Sequence, residues 1–461
     1  MSTGIVSYAT YLPAFRVRLA DLGAALTIDA GTGSRVVAGY DEDSTTLAVA
    51  AAAAALDRAR VRSLHFATTT PAYADKTNAT AVHAALGLPA DVFVTDVCGS
   101  ARSAVAAWRS AAAGHGLAVF ADVRVGRPGS SDERGGGDGA AAFVFGPATD
   151  SLAAIVSQVS ITGEFLDRWR APGAVAGQQW EERFGVDQYG PLIDRAWAAI
   201  LARVGDPDSM AVGDQPDHLV VVSPNAGVVK TAGKRWSGCK STTVSPIGHS
   251  GTADLGLALA RILDTAGPDE TILVVSAADG CDAILLRTTD LIEQRRQRVP
   301  VATQLAAGVD VSYTTYLSWR GLLDREPPRR PEPDRPAAPP SARGVAWKFG
   351  LTASSCTTCG FVHLPPARVC KNCRSVDAMT DEPRAHMPGT VATFTVDRLA
   401  YSPAPPVVAA VVDFDGGGRY TLELADGAAQ MLAVGSRVRP VFRRLYTAGG
   451  VHNYFWKAVL L

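Results

Sequence analysis

Residues 356–373 read CTTCGFVHLPPARVCKNC: two Cys-x-x-Cys pairs separated by ten residues. Each pair, carried on a short turn, directs two sulfurs to one side, so the two pairs together can surround one Zn²⁺ tetrahedrally. All four ligands would be thiolates, with no coordination position open to a substrate. That donor set marks a structural metal rather than a catalytic one. Cys356, Cys359, Cys370 and Cys373 are the expected zinc ligands.

On the C-terminal side of this stretch, the runs TVATFTV, VVAAVVDF, RYTLEL, RVRPVF and YFWKAVL alternate apolar and polar residues between Gly-containing turns. That pattern predicts a small β-barrel such as an OB fold. On the N-terminal side lies REPPRRPEPDRPAAPPSARG, residues 325–344. Proline at this density removes backbone donors and fixes φ, so an extended spacer is expected there.

Before the spacer, helical and strand patterns alternate. A helix is expected over 44–60, capped by Ser44 or Asp43, and another over 103–114. Short apolar runs at 64–70, 91–97, 117–123, 140–145, 218–222 and 271–276 have strand character. Strands alternating with helices predict a layered α/β fold. The segment DERGGGDGAAAF is Gly-rich, but it lacks the Gly-Lys-Ser/Thr ending of a phosphate loop and the spacing of a dinucleotide fingerprint.

The chain has 461 residues, 47% of them hydrophobic, which is ample for large cores. Its 44 basic and 45 acidic residues leave a net charge of −1, and no basic stripe stands out. Nucleic acid and membrane surfaces are therefore not expected partners. There is neither a signal-peptide pattern nor a long uncharged apolar span. Seven cysteines minus four metal ligands leave Cys98, Cys239 and Cys281, an odd remainder that fits free thiols in a reducing cytoplasm.

Many ordered segments carry a resemblance. GIVSYATYLPAFRV, GYDEDSTTLAVAAAAAAL, ATTTPAYADKTNATAVHAALGLP, GGGDGAAAFVFG, VVSPNAGVVKTAGKRW, IGHSGTADLGLALARIL, SAADGCDAILLRTTD and VDVSYTTYLSWR resemble archaeal-type hydroxymethylglutaryl-CoA synthases of the thiolase superfamily. LPPARVCKNCRS resembles the rubredoxin-like zinc-ribbon and OB-fold proteins that accompany such enzymes. The resemblance implies a thiolase-like αβαβα fold of two similar halves, with the active site between the halves. The expected division is 1–160 and 161–324 for the halves, 325–344 for the linker, 345–386 for the zinc ribbon and 387–461 for the OB fold. It also implies an acyl-CoA or related thioester as substrate, a homodimer, and a separate thiolase as a possible partner.

Members of this family use a Cys nucleophile, a Glu acid/base and a His. Carried over position by position, the nucleophile falls at Ala101 of DVCGSARSAVAAW, the Glu at Thr69 and the His at Val222. The family's late Asn becomes His249. With all three replaced, the expectation is a divergent enzyme that makes or breaks a C–C bond. Aldol or retro-aldol chemistry needs no acyl-enzyme, and is favoured. Two alternatives stand beside it: an acyltransferase using Cys98, and a non-catalytic acyl-CoA-binding scaffold for a partner thiolase. The candidate catalytic groups are His249, Cys98, Tyr73 and Asp138, with Tyr313 and Tyr316 in the closing segment. Ser100 and Arg102, flanking a helix start, are candidates for binding CoA. Each also has a plainer reading: Cys98 as a buried small residue, His249 as a satisfied structural histidine, Asp138 as a turn-former, Tyr73 as packing, and Arg102 paired with a carboxylate.

Overall fold

A computed structural model of the chain describes residues 3–56, 59–204, 215–236, 238–326, 329–427 and 431–461. The chain divides into two compact units. The first comprises Met1–Ala38, Asp43–Ala79 and Asp91–Tyr316. The second comprises Gly39–Glu42, Thr80–Ala90 and Leu317–Leu461.

The first unit is built on a ten-stranded sheet whose order shows an internal duplication. It runs Phe93–Cys98, Ser63–Thr68, Leu117–Asp122, Gly139–Pro147, Thr3–Tyr11, and then Ala153–Thr162, Gly280–Thr288, Thr271–Ala277, His218–Val222, Ser241–Thr243. In each half the outer three strands are parallel, and the inner two are antiparallel to their neighbours. The halves meet where Gly4 and Ile5 pair with Ala154 and Ala153.

The helices Ser44–Leu56 and Ala253–Leu263 are buried along most of their length. A helix apolar on all sides has no solvent face to keep and belongs inside a layered protein. Alanine makes this possible for Ser44–Leu56, since its small side chains let a sheet approach closely. That helix begins with a reciprocal cap: the Thr46 N–H donates to Asp43 Oδ1 (3.0 Å) and the Asp43 N–H to Thr46 Oγ1 (2.9 Å). Asp43, rather than Ser44, is therefore the cap. The helix ends at Leu56, short of the expected residue 60; residues 57 and 58 lie outside the described residues. Trp108 anchors the neighbouring core, edge-on to Phe145 at 4.8 Å and tilted against Phe143 at 5.5 Å.

Two features depart from the sequence reading. Glu182–Val204 forms a 23-residue helix that the pattern hides, because Gly185, Gly190 and Pro191 interrupt its apolar period. Within the proline-rich stretch, Ala338–Arg343 is helical rather than extended. Its prolines sit in the first turn, where no backbone donor is required.

In the second unit, three short strands form the ribbon sheet in the order Val362–His363, Thr352–Cys356, Met379–Pro383. Five longer strands follow in the order Arg419–Glu423, Val407–Phe414, Gly389–Asp397, Arg437–Ala448, Val451–Leu460. A parallel bridge between Leu424 and Ala458 closes this sheet into a barrel. The helix Val345–Gly350 seats Trp347 against Phe455 (5.2 Å) and Tyr420 (4.9 Å), and the indole N–H of Trp456 donates to the carbonyl of Phe349 (2.8 Å).

Within this unit the barrel's inward charges are paired. The Lys457 ammonium lies 3.0 Å from Asp41 and 3.1 Å from Glu423, and Arg443 lies 3.2 Å from Glu42. Buried charges need such partners, because an unpaired one forfeits its hydration without return.

Candidate active site and metal centre

Loops that follow parallel strands of both halves enclose a cleft. Ala101, Val222, Ser223, Pro224, Gly251 and Asp254 line it, with Leu255, Ser276 and Ala278. Ala101 and Val222, where the sequence reading expects the family nucleophile and histidine, come from different halves yet meet in this cleft. Both present only apolar atoms. The backbone N–H groups of Ser100 and Ala101, in the turn before the helix Ser103–Gly114, have no acceptor among the described residues. They are free to donate to a ligand oxygen.

Asp122 holds the cleft's rear wall. Its carboxylate is fully buried at the end of Leu117–Asp122 and gathers donors from two loops. Oδ1 accepts from Thr68 Oγ1 (2.9 Å), the Thr69 N–H (2.7 Å) and Thr70 Oγ1 (2.8 Å); Oδ2 accepts from the Thr252 N–H (2.7 Å) and Thr252 Oγ1 (3.0 Å). Gly251 must be glycine, because its φ is +66° and a Cβ there would lie 2.2 Å from Asp122 Oδ2. Sequence reading missed Asp122. The available signal was an aspartate closing an otherwise apolar strand.

His249 forms a dyad with Asp254. Its Nδ1 lies 2.6 Å from Asp254 Oδ2, while Asp254 Oδ1 accepts from the Ser250 N–H (2.6 Å) and Ser250 Oγ (2.7 Å). Asp254 sits in the first turn of Ala253–Leu263 and lines the cleft. Facing a carboxylate, which only accepts, Nδ1 is the donor of this bond. Nε2 makes no hydrogen bond among the described residues. The Gly-rich loop secures the histidine's backbone: the His249 N–H donates to the Gly135 carbonyl (2.8 Å), and the Gly137 N–H to the His249 carbonyl (3.3 Å). Asp254 was also missed, although an aspartate five residues after the histidine, at a helix start, was a readable sign.

Three arginines stand nearby. Arg124 Nη1 donates to Thr69 Oγ1 (3.0 Å), and Arg170 donates to the Thr69 carbonyl. Arg168 grips Asp132 with both terminal nitrogens. Burial opposes ionisation of Asp132, but the Arg168 guanidinium outweighs it and holds the carboxyl below its usual range.

The other candidates fall around this centre. Cys98 is exposed at the end of Phe93–Cys98. Desolvation, then the carboxylates of Asp96 and Asp122, push its thiol up to about 11, so it is protonated at neutral pH. Cys281 is buried, and desolvation pushes it up to about 12; Cys239 is half-buried and also raised by desolvation. Ser100 Oγ accepts from the Arg102 N–H (3.3 Å). Arg102 reaches across the halves to Asp282 (2.8 Å) and to the Asp279 carbonyl (2.7 Å). Asp138 is fully buried and accepts from the N–H groups of Ala38 and Arg124, both at 2.8 Å. Tyr73 is half-buried in a loop stapled by Asn78, which bonds its N–H (3.0 Å) and carbonyl (2.9 Å). Tyr313 donates to Glu133 (3.1 Å) and stacks on Tyr316, and both rings are buried.

In the second unit the four cysteine sulfurs lie within 4.8 Å of one another, and the pairs Cys356–Cys373 and Cys359–Cys370 are each 3.6 Å apart. A tetrahedron with Zn–S bonds of about 2.3 Å has edges of about 3.8 Å, so the donor set fits zinc. The two knuckles share one geometry. The Gly360 N–H bonds the Cys356 carbonyl (2.8 Å) and the Arg374 N–H the Cys370 carbonyl (3.0 Å), with φ of +74° and +66° at the closing residues.

Two halves of matching strand order, with a cleft where their strand ends meet, define a thiolase-like protein. The comparisons agree. Over 343 residues the chain is 30% identical to a hydroxymethylglutaryl-CoA synthase of Archaeoglobus fulgidus, covering 69% of this chain and 98% of the relative. The same enzyme of Aeropyrum pernix is 29% identical over 352 residues, 70% and 95% of the two chains. Among solved structures, MvaS in complex with 3-hydroxy-3-methylglutaryl coenzyme A superposes with a TM-score of 0.59 at 20% identity, over 73% of this chain and 94% of that one, and so shares the fold. Residues 350–379 match the family "ChsH2, rubredoxin-like zinc ribbon domain" and residues 384–443 match "ChsH2, C-terminal OB-fold domain". The chain belongs to the hydroxymethylglutaryl-CoA synthase family, and it carries a C-terminal zinc ribbon and OB fold. Among the described residues no helix is long and apolar enough to cross a membrane.

Proposed function

We propose that this chain makes or breaks a carbon–carbon bond next to an acyl-CoA thioester without forming an acyl-enzyme. The observation that carries this reading is the His249–Asp254 dyad, at 2.6 Å, beside a cleft that holds Ala101 at the nucleophile position. In the cleavage direction, His249 Nε2 takes the proton of the β-hydroxyl. The Cα–Cβ bond then breaks, its electrons pass into the thioester as an enolate, and a carbonyl compound leaves. The imidazolium, stabilised by Asp254, returns the proton to Cα. The N–H groups of Ser100 and Ala101 stabilise the enolate oxygen. Tyr73, Arg102 and Asp138 position the surrounding loops. A protonated thiol at Cys98 is a poor nucleophile, which favours this route over acyl transfer.

Incubation with acetyl-CoA plus a ketone acceptor, and separately with a 3-hydroxyacyl-CoA, followed by intact mass and product analysis, tests the reading. The expected result is C–C product or cleavage dependent on His249, with no adduct on the protein. A stable acyl adduct mapped to Cys98 would move the assignment to acyl transfer. Acyl-CoA binding with no turnover would make the chain a scaffold for a partner thiolase. The proposal includes a homodimer: Phe93–Cys98 ends the ten-stranded sheet, and its Phe93 side chain is 62% exposed. Light scattering in solution checks the dimer.

A further inference from the structure

We propose that Arg124 is a specificity-determining residue, and that it binds the carboxylate of a 2-oxo acid serving as the carbonyl partner in the C–C step. This rests on the aldol reading above. The starting point is a reversal of charge. At Thr69, where the family pattern places a carboxylate, this chain gathers two guanidiniums, Arg124 on the side-chain oxygen at 3.0 Å and Arg170 on the backbone carbonyl. This contact packs directly against cleft-lining Gly251, on which a Cβ would lie 3.2 Å from Thr69 Oγ1.

The other charges here are matched. Arg168 is held by Asp132, Asp254 by His249 and Ser250, and Asp122 by its threonine and backbone donors. Among the described residues no carboxylate lies within ion-pair distance of Arg124, which donates to a neutral hydroxyl; burial lowers its pKa, and the carboxylates of Asp122, Asp132 and Asp254 act on it only from further away. A desolvated guanidinium whose nearest carboxylates stay beyond ion-pair distance keeps its donors for an incoming anion, and its planar fork suits a carboxylate. Thr69 stands where the family's acid/base would touch reacting atoms, so the anion belongs on the reacting fragment and not on the phosphates of CoA.

In the condensing direction the acyl-CoA loses its Cα proton to His249 Nε2, and the enolate carbon attacks the ketone carbon of the 2-oxo acid. The former ketone oxygen takes the proton back from His249. The product is a 3-hydroxyacyl-CoA with a carboxylate on C3, and the reverse sequence cleaves it.

The test compares pyruvate with its neutral methyl ester, each titrated calorimetrically into the full chain saturated with acetyl-CoA. Pyruvate should bind about tenfold or more tightly than the ester, as expected for a charge-assisted bond. Arg124→Gln should abolish that preference, and Arg124→Lys should retain part of it. Thr69→Glu, which supplies the guanidinium with an internal carboxylate, should abolish it too; this variant decides the matter if Arg124→Gln does not fold. Equal binding of acid and ester by the native chain, or an unchanged preference in Arg124→Gln, overturns the proposal. So does an Arg124→Gln defect confined to acetyl-CoA and absent with 3′-dephospho-acetyl-CoA, which would assign Arg124 to the cofactor's phosphate. An Arg124-dependent preference without any C–C product keeps the subsite and removes the aldol reading. Product formed equally well from acid and ester keeps the aldol reading and removes the subsite.

Discussion

His249 Nδ1 and Asp254 Oδ2 stand 2.6 Å apart, joining the loop that carries the histidine to the first turn of the helix behind it. The pairing makes Nδ1 the donor and leaves Nε2 open for the proposed role of base. Replacing His249 with Ala should lower turnover by about 10²–10⁴-fold, the usual contribution of a positioned general base. Asp254→Asn should lower kcat with little change in KM, because it disturbs the tautomer more than substrate binding. Steady-state kinetics on both variants, with melting curves to confirm folding, check this. Full activity in His249→Ala would rule the dyad out of the chemistry.

Cys98 titrates late. With its thiol at about 11, alkylation by iodoacetamide should remain slow at neutral pH and accelerate as pH rises toward 11. Rates measured by mass spectrometry across pH 7–11 give the answer, and Cys98→Ala should leave turnover intact. Rapid, pH-independent labelling at neutral pH would show an activated thiolate instead.

The metal holds the ribbon. Metal analysis should find about one zinc per chain, and Cys370→Ser should lose it. Since the ribbon has only short strands to stabilise it, loss of metal should unfold it while the thiolase-like part keeps its own transition. Calorimetry with and without chelator separates the two events. A ribbon that stays folded without zinc would contradict this assignment.

Acid weakens one ion cluster in the first unit. Asp217 and Glu270 both contact Lys240, and Glu270 also accepts from His218. Burial raises both carboxyl pKa values, but for Asp217 the bonds from Thr271 and Lys240, and for Glu270 those from Lys240 and His218, outweigh it and hold each at about 2. A carboxyl depressed in the folded state stabilises the fold fully above its unfolded pKa of about 4. That contribution fades as pH falls through the folded value of about 2. Denaturation midpoints should therefore drop over this window, and less steeply in Asp217→Asn. Equal acid sensitivity of variant and native chain would remove the cluster from the account.

Much of this protein is written locally. The four cysteines fix a metal site because two Cys-x-x-Cys knuckles constrain their own sulfurs. The helix Ser103–Gly114 and the strand His218–Val222 have the bounds their patterns imply, since periodicity records which face of a segment is buried. The motif around Ala101 and Val222 is where the sequence reading expects the family's nucleophile and histidine to be replaced.

The company these residues keep is decided only by the tertiary structure. Asp122 finds Thr252, Arg102 finds Asp282 and Arg124 finds Thr69 across 130, 180 and 55 positions of chain. A pattern of apolar spacing says that a segment will be covered, but not by which distant side chain. Burial is a property of each segment, whereas hydrogen-bonded charge is a property of a pair. The sequence by itself therefore determined the fold, the family and the metal ligands. Folding decided which charges meet around the cleft.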